Sequence, residues 1–194
     1  MLRTKLLAGL ALVGGLCLAA PPARAGLIPT LVTVFPNLDG TFRWTYAVTV
    51  TSDVNVNTGD YFTIYDFSGG IAGSDTAPAN WSLAVQNLGK TPSQTAPNDD
   101  PNIPNYSWTY DGATPISGQI GLGNFSIVSK YGSPADSDFT SATHREIDGK
   151  SEHNITTTNV PVAAASPEPA TLAMFCIGLP VVGAFKLLRR KRAA

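Results

Sequence analysis

The sequence predicts an all-β domain, a β-sandwich of Ig-like or jelly-roll type, placed between two apolar stretches near the ends of the chain. Three observations predict it. From Thr41 to Thr51, Phe42, Trp44, Tyr46, Val48 and Val50 alternate with Thr and other small or polar residues, the period of two expected of a half-buried antiparallel strand. Gly, Pro, Asn and Asp clusters recur about every ten to fifteen residues afterwards, at the spacing of turns between short strands. Between the apolar ends no segment sustains the 3.6-residue apolar period of an amphipathic helix.

Residues 1–25 have the three parts of a secretory signal peptide. Arg3 and Lys5 precede an apolar run from Leu6 to Ala20, and Ala23-Arg24-Ala25 is an A-x-A cleavage site before Gly26. Export through the Sec translocon and cleavage by signal peptidase are therefore expected. The exported domain is expected over residues 26–160, followed by a Pro/Ala-rich linker at 161–166.

Within the domain, Leu31–Phe35 reads as the partner of the Thr41–Thr51 strand. The intervening Pro36-Asn-Leu-Asp-Gly40 has the composition of a hairpin loop. Further strands are expected at Tyr61–Phe67, Trp81–Val85, Tyr106–Tyr110, Ile116–Ile120, Phe125–Tyr131, Thr143–Ile147 and Ile155–Val160. Lys90 to Asn105, with four prolines and Asp99-Asp100, reads as a long loop or exposed insertion.

The charge is unevenly distributed. The whole chain carries a formal −1, but residues 26–166 hold thirteen Asp and Glu against five Lys and Arg, a net of −8. An acidic domain is the wrong partner for nucleic acid, whose phosphates demand a basic surface. Cys17 and Cys176 both lie outside residues 26–166, so the domain has neither disulfides nor thiol chemistry, and its core alone must hold it.

Motifs for catalysis are missing: there is no G-x-S-x-G, H-E-x-x-H, G-x-x-x-x-G-K or C-x-x-C, and neither a cofactor nor a resident metal is expected. His144 and His153, near Arg145, Glu146, Asp148 and Glu152, offer either an acid/base or metal pair or a solvated edge strand, and the second is the expectation. Asp99-Asp100 and Asp136-Ser-Asp138 offer carboxylate oxygens for calcium, although turn-forming Asp is the simpler reading. Tyr106, Trp108 and Tyr110 alternate with Ser107 and Thr109, so they form either core or a sugar-stacking platform; Trp44, aligned with Val48 and Val50, is expected in the core. Four N-x-S/T sequons, at Asn80, Asn105, Asn124 and Asn154, are close to the number that composition alone produces.

The last segment is the most specific. Pro167-Glu168-Pro169 is followed by a mostly apolar run from Ala170 to Leu188, and then by Arg189, Arg190, Lys191 and Arg192. Nineteen residues make a helix about 28 Å long at roughly 1.5 Å per residue, a minimal single transmembrane span with Lys186 at the interface. The basic tail, residues 189–194, keeps the C-terminus cytoplasmic by the positive-inside rule and puts the domain across the membrane.

This tripartite arrangement, residues 167–194, closely resembles the PEP-CTERM sorting signal of Gram-negative bacteria. The resemblance implies that exosortase, a membrane-embedded transpeptidase of cysteine-protease type, acts near Pro167-Glu168-Pro169. It further implies passage through the inner membrane as an anchored precursor, then transfer to the cell surface or the exterior. Asn57-Thr-Gly-Asp-Tyr-Phe-Thr-Ile-Tyr-Asp66 is loosely similar to uncharacterised domains that carry this signal. The function expected is non-enzymatic: a structural or interaction role in the envelope or an exopolysaccharide matrix, with a carbohydrate- or calcium-binding module as the alternative.

Overall fold

The computed structural model describes residues 26–164. Ala23 and Ala25 of the cleavage site, the tripeptide Pro167-Glu168-Pro169, the apolar run 170–188 and the basic residues Lys186, Arg189, Arg190, Lys191 and Arg192 lie outside the described residues.

Ten strands follow one another among the described residues. The first are β1 (Leu27–Pro36), β2 (Phe42–Val50), β3 (Val54–Val56), β4 (Tyr61–Ile64) and β5 (Trp81–Gln86). Then come β6 (Asn105–Tyr110), β7 (Ile116–Ser117), β8 (Ile120–Ser129), β9 (Ser133–Arg145) and β10 (Ser151–Val162). All pairings are antiparallel. One sheet has the order β1-β2-β8; the other runs β5-β6-β4-β9, with β10 on the far side of β9. Strand β3 lies beyond β4 along the same edge of β9, pairing at His144 and Arg145 where β4 pairs from Phe139 to Ala142, and β7 flanks β3.

The alternation in β2 has the predicted consequence: Trp44, Tyr46, Val48 and Val50 are buried while the residues between them are half-exposed. In β1 the phase reverses once. Its ladder with β2 skips Val32, and this bulge lets Leu31 and Val34 both pack on the core while Val32 points outward.

Phe62 is the hub between the sheets. It stacks on Trp108 (5.2 Å between ring centroids) and Phe139 (5.4 Å), and meets Phe125 of the opposite sheet edge-on at 4.9 Å. Trp81 completes the shell at 5.5 Å. Rings in these offset and edge-on arrangements gain quadrupole attraction on top of their apolar burial. The polar tips are also placed: Trp44 Nε1 donates to the Tyr131 carbonyl (2.9 Å), and Tyr46 Oη donates to the Asn159 carbonyl (2.8 Å), tying β2 to β10. The result is a β-sandwich-like domain held by an aromatic core without cysteine.

Several elements differ from the expectations. The strand expected over Ile116–Ile120 is two strands interrupted at Gly118, whose φ of 83° ends β7. Strand β9 begins at Ser133, well before Thr143, because its polar residues gain a ladder partner in β10 along their whole length. The domain extends to Val162, so Pro161 and Val162 belong to β10 and not to the linker. The three-residue β3 was too short to show a period.

Candidate functional site

The segment between β5 and β6, residues 87–104, is the expected long loop, and although most of its residues are exposed it is fastened to the sheet. It lies across the outer face of the larger sheet, which is polar yet buried: Thr63 of β4, Ser107 of β6 and Thr140 of β9 form a row under it. Thr63 Oγ1 donates to the Lys90 carbonyl at 2.8 Å and is 2.8 Å from Ser107 Oγ. Tyr65 Oη reaches the Lys90 carbonyl and Thr91 Oγ1, both at 3.0 Å, and Thr140 Oγ1 at 3.2 Å. Burial pushes the Tyr65 hydroxyl above its ordinary pKa.

Where the loop crosses β9, five aspartates gather. Asp66, Asn98, Asp136, Ser137, Asp138 and Thr157 line a shallow cleft of about 250 Å3. Asp66 Oδ1 accepts from the Asp100 amide (2.9 Å), and Asp138 Oδ2 accepts from the Asn98 amide (2.6 Å). Asp136 Oδ1 accepts from Asn159 Nδ2 (2.6 Å). At the centre is Asn105, with no exposed surface: its Oδ1 accepts from the Asp66 amide (2.8 Å), and its Nδ2 donates to Asp99 Oδ1 (2.8 Å) and the Asn87 carbonyl (3.2 Å). Asp66 itself sits at φ 54°, the left-handed region that Asp tolerates better than most residues.

The electrostatics follow from this crowding. Burial raises the Asp66 pKa, with the neighbouring charges of Asp99 and Asp100 adding to the effect and the Asp100 amide opposing it. Asp100 is held below the usual range by hydrogen bonds from Asn102. Among the described residues no Lys or Arg is ion-paired with these five aspartates. The two acidic segments named as calcium candidates thus do converge, but Asp136 and Asp138 sit in strand β9 and not in a loop. Asp138 accepts from a loop amide, and Asp136 from the Asn159 side chain in β10. Among the described residues no three His, Cys, Asp or Glu side chains are grouped so as to hold a metal ion. Chemically, the arrangement is a clamp that fastens a proline-rich loop to a sheet.

Of the two readings of Tyr106, Trp108 and Tyr110, core or sugar-stacking platform, the platform is corrected and the core reading holds. Tyr106, Trp108 and Tyr110 are 4%, 0% and 5% exposed, because the alternation in β6 turns them towards the opposite sheet and leaves Ser107 and Thr109 on the other face. None can stack on a glycan. Trp108 Nε1 is buried with no hydrogen-bond partner among the described residues. The sequon at Asn105 is likewise closed, its side chain being consumed by the clamp.

The histidines have separate partners. His144 Nδ1 lies 3.0 Å from the carboxylate of Asp60, and His153 Nδ1 lies 3.2 Å from Ser93 Oγ in the covering loop. Asp60 is nearly buried and also accepts the Asn57 amide at 2.7 Å; burial raises its pKa, against the lowering effects of Asn57 and His144. Arg145 pairs with Asp148 and faces Glu152 at 3.8 Å, closing the β9–β10 turn.

No protein-family model and no curated protein matches the chain. What the sequence did not show is the part played by Asn105 and Asp66 in the clamp, and the pairing of His144 with Asp60. Asn57-Thr-Gly-Asp60 carries a turn signature that marks the last of these; Asn105 had no local signal, because its three partners lie up to 39 residues away.

Proposed function

We propose that this is a non-enzymatic exported protein, released from the inner membrane by exosortase and acting as a structural or interaction domain at the cell surface or in the extracellular matrix. The observation that carries the reading is the run Pro167-Glu168-Pro169, apolar 170–188, then Arg189-Arg190-Lys191-Arg192. Two features of the domain support it. Gly26, the residue after the expected cleavage site, is buried, with its carbonyl accepting the Thr51 amide at 3.3 Å. The last ladder residue is Val162, so Ala163 to Ser166 separate it from the tripeptide. Five extended steps span about 17 Å, enough to present the tripeptide clear of the folded domain.

An acidic, cysteine-free domain with its polar sheet face covered by a clamped loop suits persistence outside the cell. Self-repulsion keeps such a domain soluble, and it needs no redox partner to fold. The test is cell fractionation of the wild-type chain beside one with Pro167→Ala, Glu168→Ala and Pro169→Ala. Wild type is expected at the surface or in the medium in shortened form, and the variant in the inner membrane at its uncut C-terminal length. Full-length wild-type protein in the cytoplasm would overturn the proposal.

A further inference from the structure

We propose that, in the anchored precursor, the domain stands on the bilayer through the β1–β2 hairpin tip and the adjoining β8–β9 turn. This rests on reading Ala170–Leu188 as a membrane span. The geometry begins at the chain exit. Ala164 lines one cavity with Phe42, Lys130, Tyr131, Gly132 and Ser133, so the root of the hairpin, the β8–β9 turn and the path towards the apolar run share one end of the sandwich. The register agrees: Phe42 pairs with both Pro36 and Ser129, and Ser133 pairs with Val162.

That end carries side chains unlike a solvated turn. Leu38, at the hairpin tip, is fully exposed (110%), and Phe35 is 61% exposed. A hairpin loop normally carries polar or turn-forming residues at such a position, and nothing in the fold uses Leu38. Beside it are Lys130, exposed, and Tyr131, half-exposed. Two apolar groups with a long-stemmed cation and a tyrosine make the composition that settles at a lipid headgroup zone. The one carboxylate at the tip, Asp39, is turned back on its own loop, accepting from the Thr41 amide (3.0 Å) and Thr41 Oγ1 (2.6 Å).

Reach makes a weak surface sufficient. Between Val162 and Ala170 there are eight backbone steps, at most about 28 Å when extended, and Pro167 and Pro169 stiffen the path. A domain held that close meets the headgroups at a high effective concentration, so a small patch can decide its orientation. The bilayer is the occupant because the tether ends in it. The opposite end supplies a matched control: Ile147, in the β9–β10 turn, is 88% exposed, yet the length of β9, roughly 40 Å at about 3.3 Å per residue, separates it from the exit. Docking by this end would hold Pro167-Glu168-Pro169 at the membrane surface, where a membrane-embedded enzyme can reach it.

The experiment uses the full chain with Cys17→Ser and Cys176→Ser in phosphatidylcholine vesicles containing a headgroup-nitroxide lipid. A bimane fluorophore is placed at Ser133→Cys or, separately, at Ile147→Cys. Quenching at position 133 is expected to exceed that at 147 by about twofold or more, and adding Leu38→Asp is expected to bring it down towards the distal level. Equal quenching at both positions, or quenching at 133 indifferent to Leu38→Asp, overturns the docking while leaving the span intact. Failure of the chain to float with the vesicles overturns the span, and the docking with it.

Discussion

Asn105→Asp is the sharpest probe of the clamp, since it changes one buried atom from a donor to an acceptor without altering shape. The Asp66 amide keeps its acceptor. Asp99 Oδ1 and the Asn87 carbonyl lose their donor and instead face a carboxylate oxygen at 2.8 and 3.2 Å. Stranding two acceptors costs about 1–3 kcal/mol in all. Two like charges about 3 Å apart add about 5 kcal/mol at an effective dielectric of 20, of which the partial exposure of Asp99 leaves about half. The sum is about 4 kcal/mol, a large share of the roughly 5–15 kcal/mol that holds a domain together.

Urea unfolding of the domain at pH 7 reads this as a fall in midpoint of about 2 M, for a slope near 2 kcal/mol per molar. The pH dependence fixes the cause. Burial raises the folded pKa of the new carboxyl above its unfolded value, so the folded state binds the proton more tightly and the deficit is full only above the folded pKa. It shrinks as pH falls towards about 4, where the protonated group donates again to Asp99. A midpoint within about 0.3 M of wild type at pH 7, or a deficit unchanged between pH 7 and pH 4.5, would refute the clamp.

Three other outcomes follow from the packing. Phe62→Leu keeps much of the apolar volume but loses four ring contacts, and is expected to cost about 1–3 kcal/mol by thermal unfolding; a loss under about 0.5 kcal/mol contradicts the role of Phe62 as hub. Gly70→Ala brings a Cβ within 2.0 Å of Tyr106 Oη, whose ring is fixed against Phe67 and Trp108, and should destabilise by about 1–3 kcal/mol in chemical denaturation; a neutral result would mean the ring is free to move. Asp60→Asn removes a group whose folded pKa is raised by burial, so the stability of wild type relative to the variant should grow as pH falls through the window just above the ordinary carboxylate value. A difference that shrinks over that window in matched urea titrations would reverse the assigned sign.

The sequence was most informative where chemistry repeats at short range. Alternation through Phe42–Val50, the Asn37–Gly40 turn and the aromatic β6 segment each reached the structure with the expected strand or turn, because each depends on neighbours two to four residues apart. The loop over residues 87–104 was also expected, but its docking on the sheet was not legible, for the opposite reason. Its contacts at Lys90, Asn98 and Asp99 appear only when Thr63, Tyr65, Asn105 and Asp138 are brought in from distant parts of the chain. Tyr106, Trp108 and Tyr110 show a third case: alternation identified one aromatic face but not which side of the sheet it would meet. That choice was made by Phe125, the partner across the core, with Phe62 stacked on Trp108 from the neighbouring strand. The candidate site was correspondingly less legible than the fold, since a clamp is a set of long-range pairings with no motif.

The intact mass of the protein recovered from the cell surface or medium tests the central claim most directly. The expected chain begins at Gly26 and ends within the Ser166–Pro169 segment, any excess mass marking an attached group. A recovered chain that retains residues 170–194, or one that still begins at Met1, would contradict it.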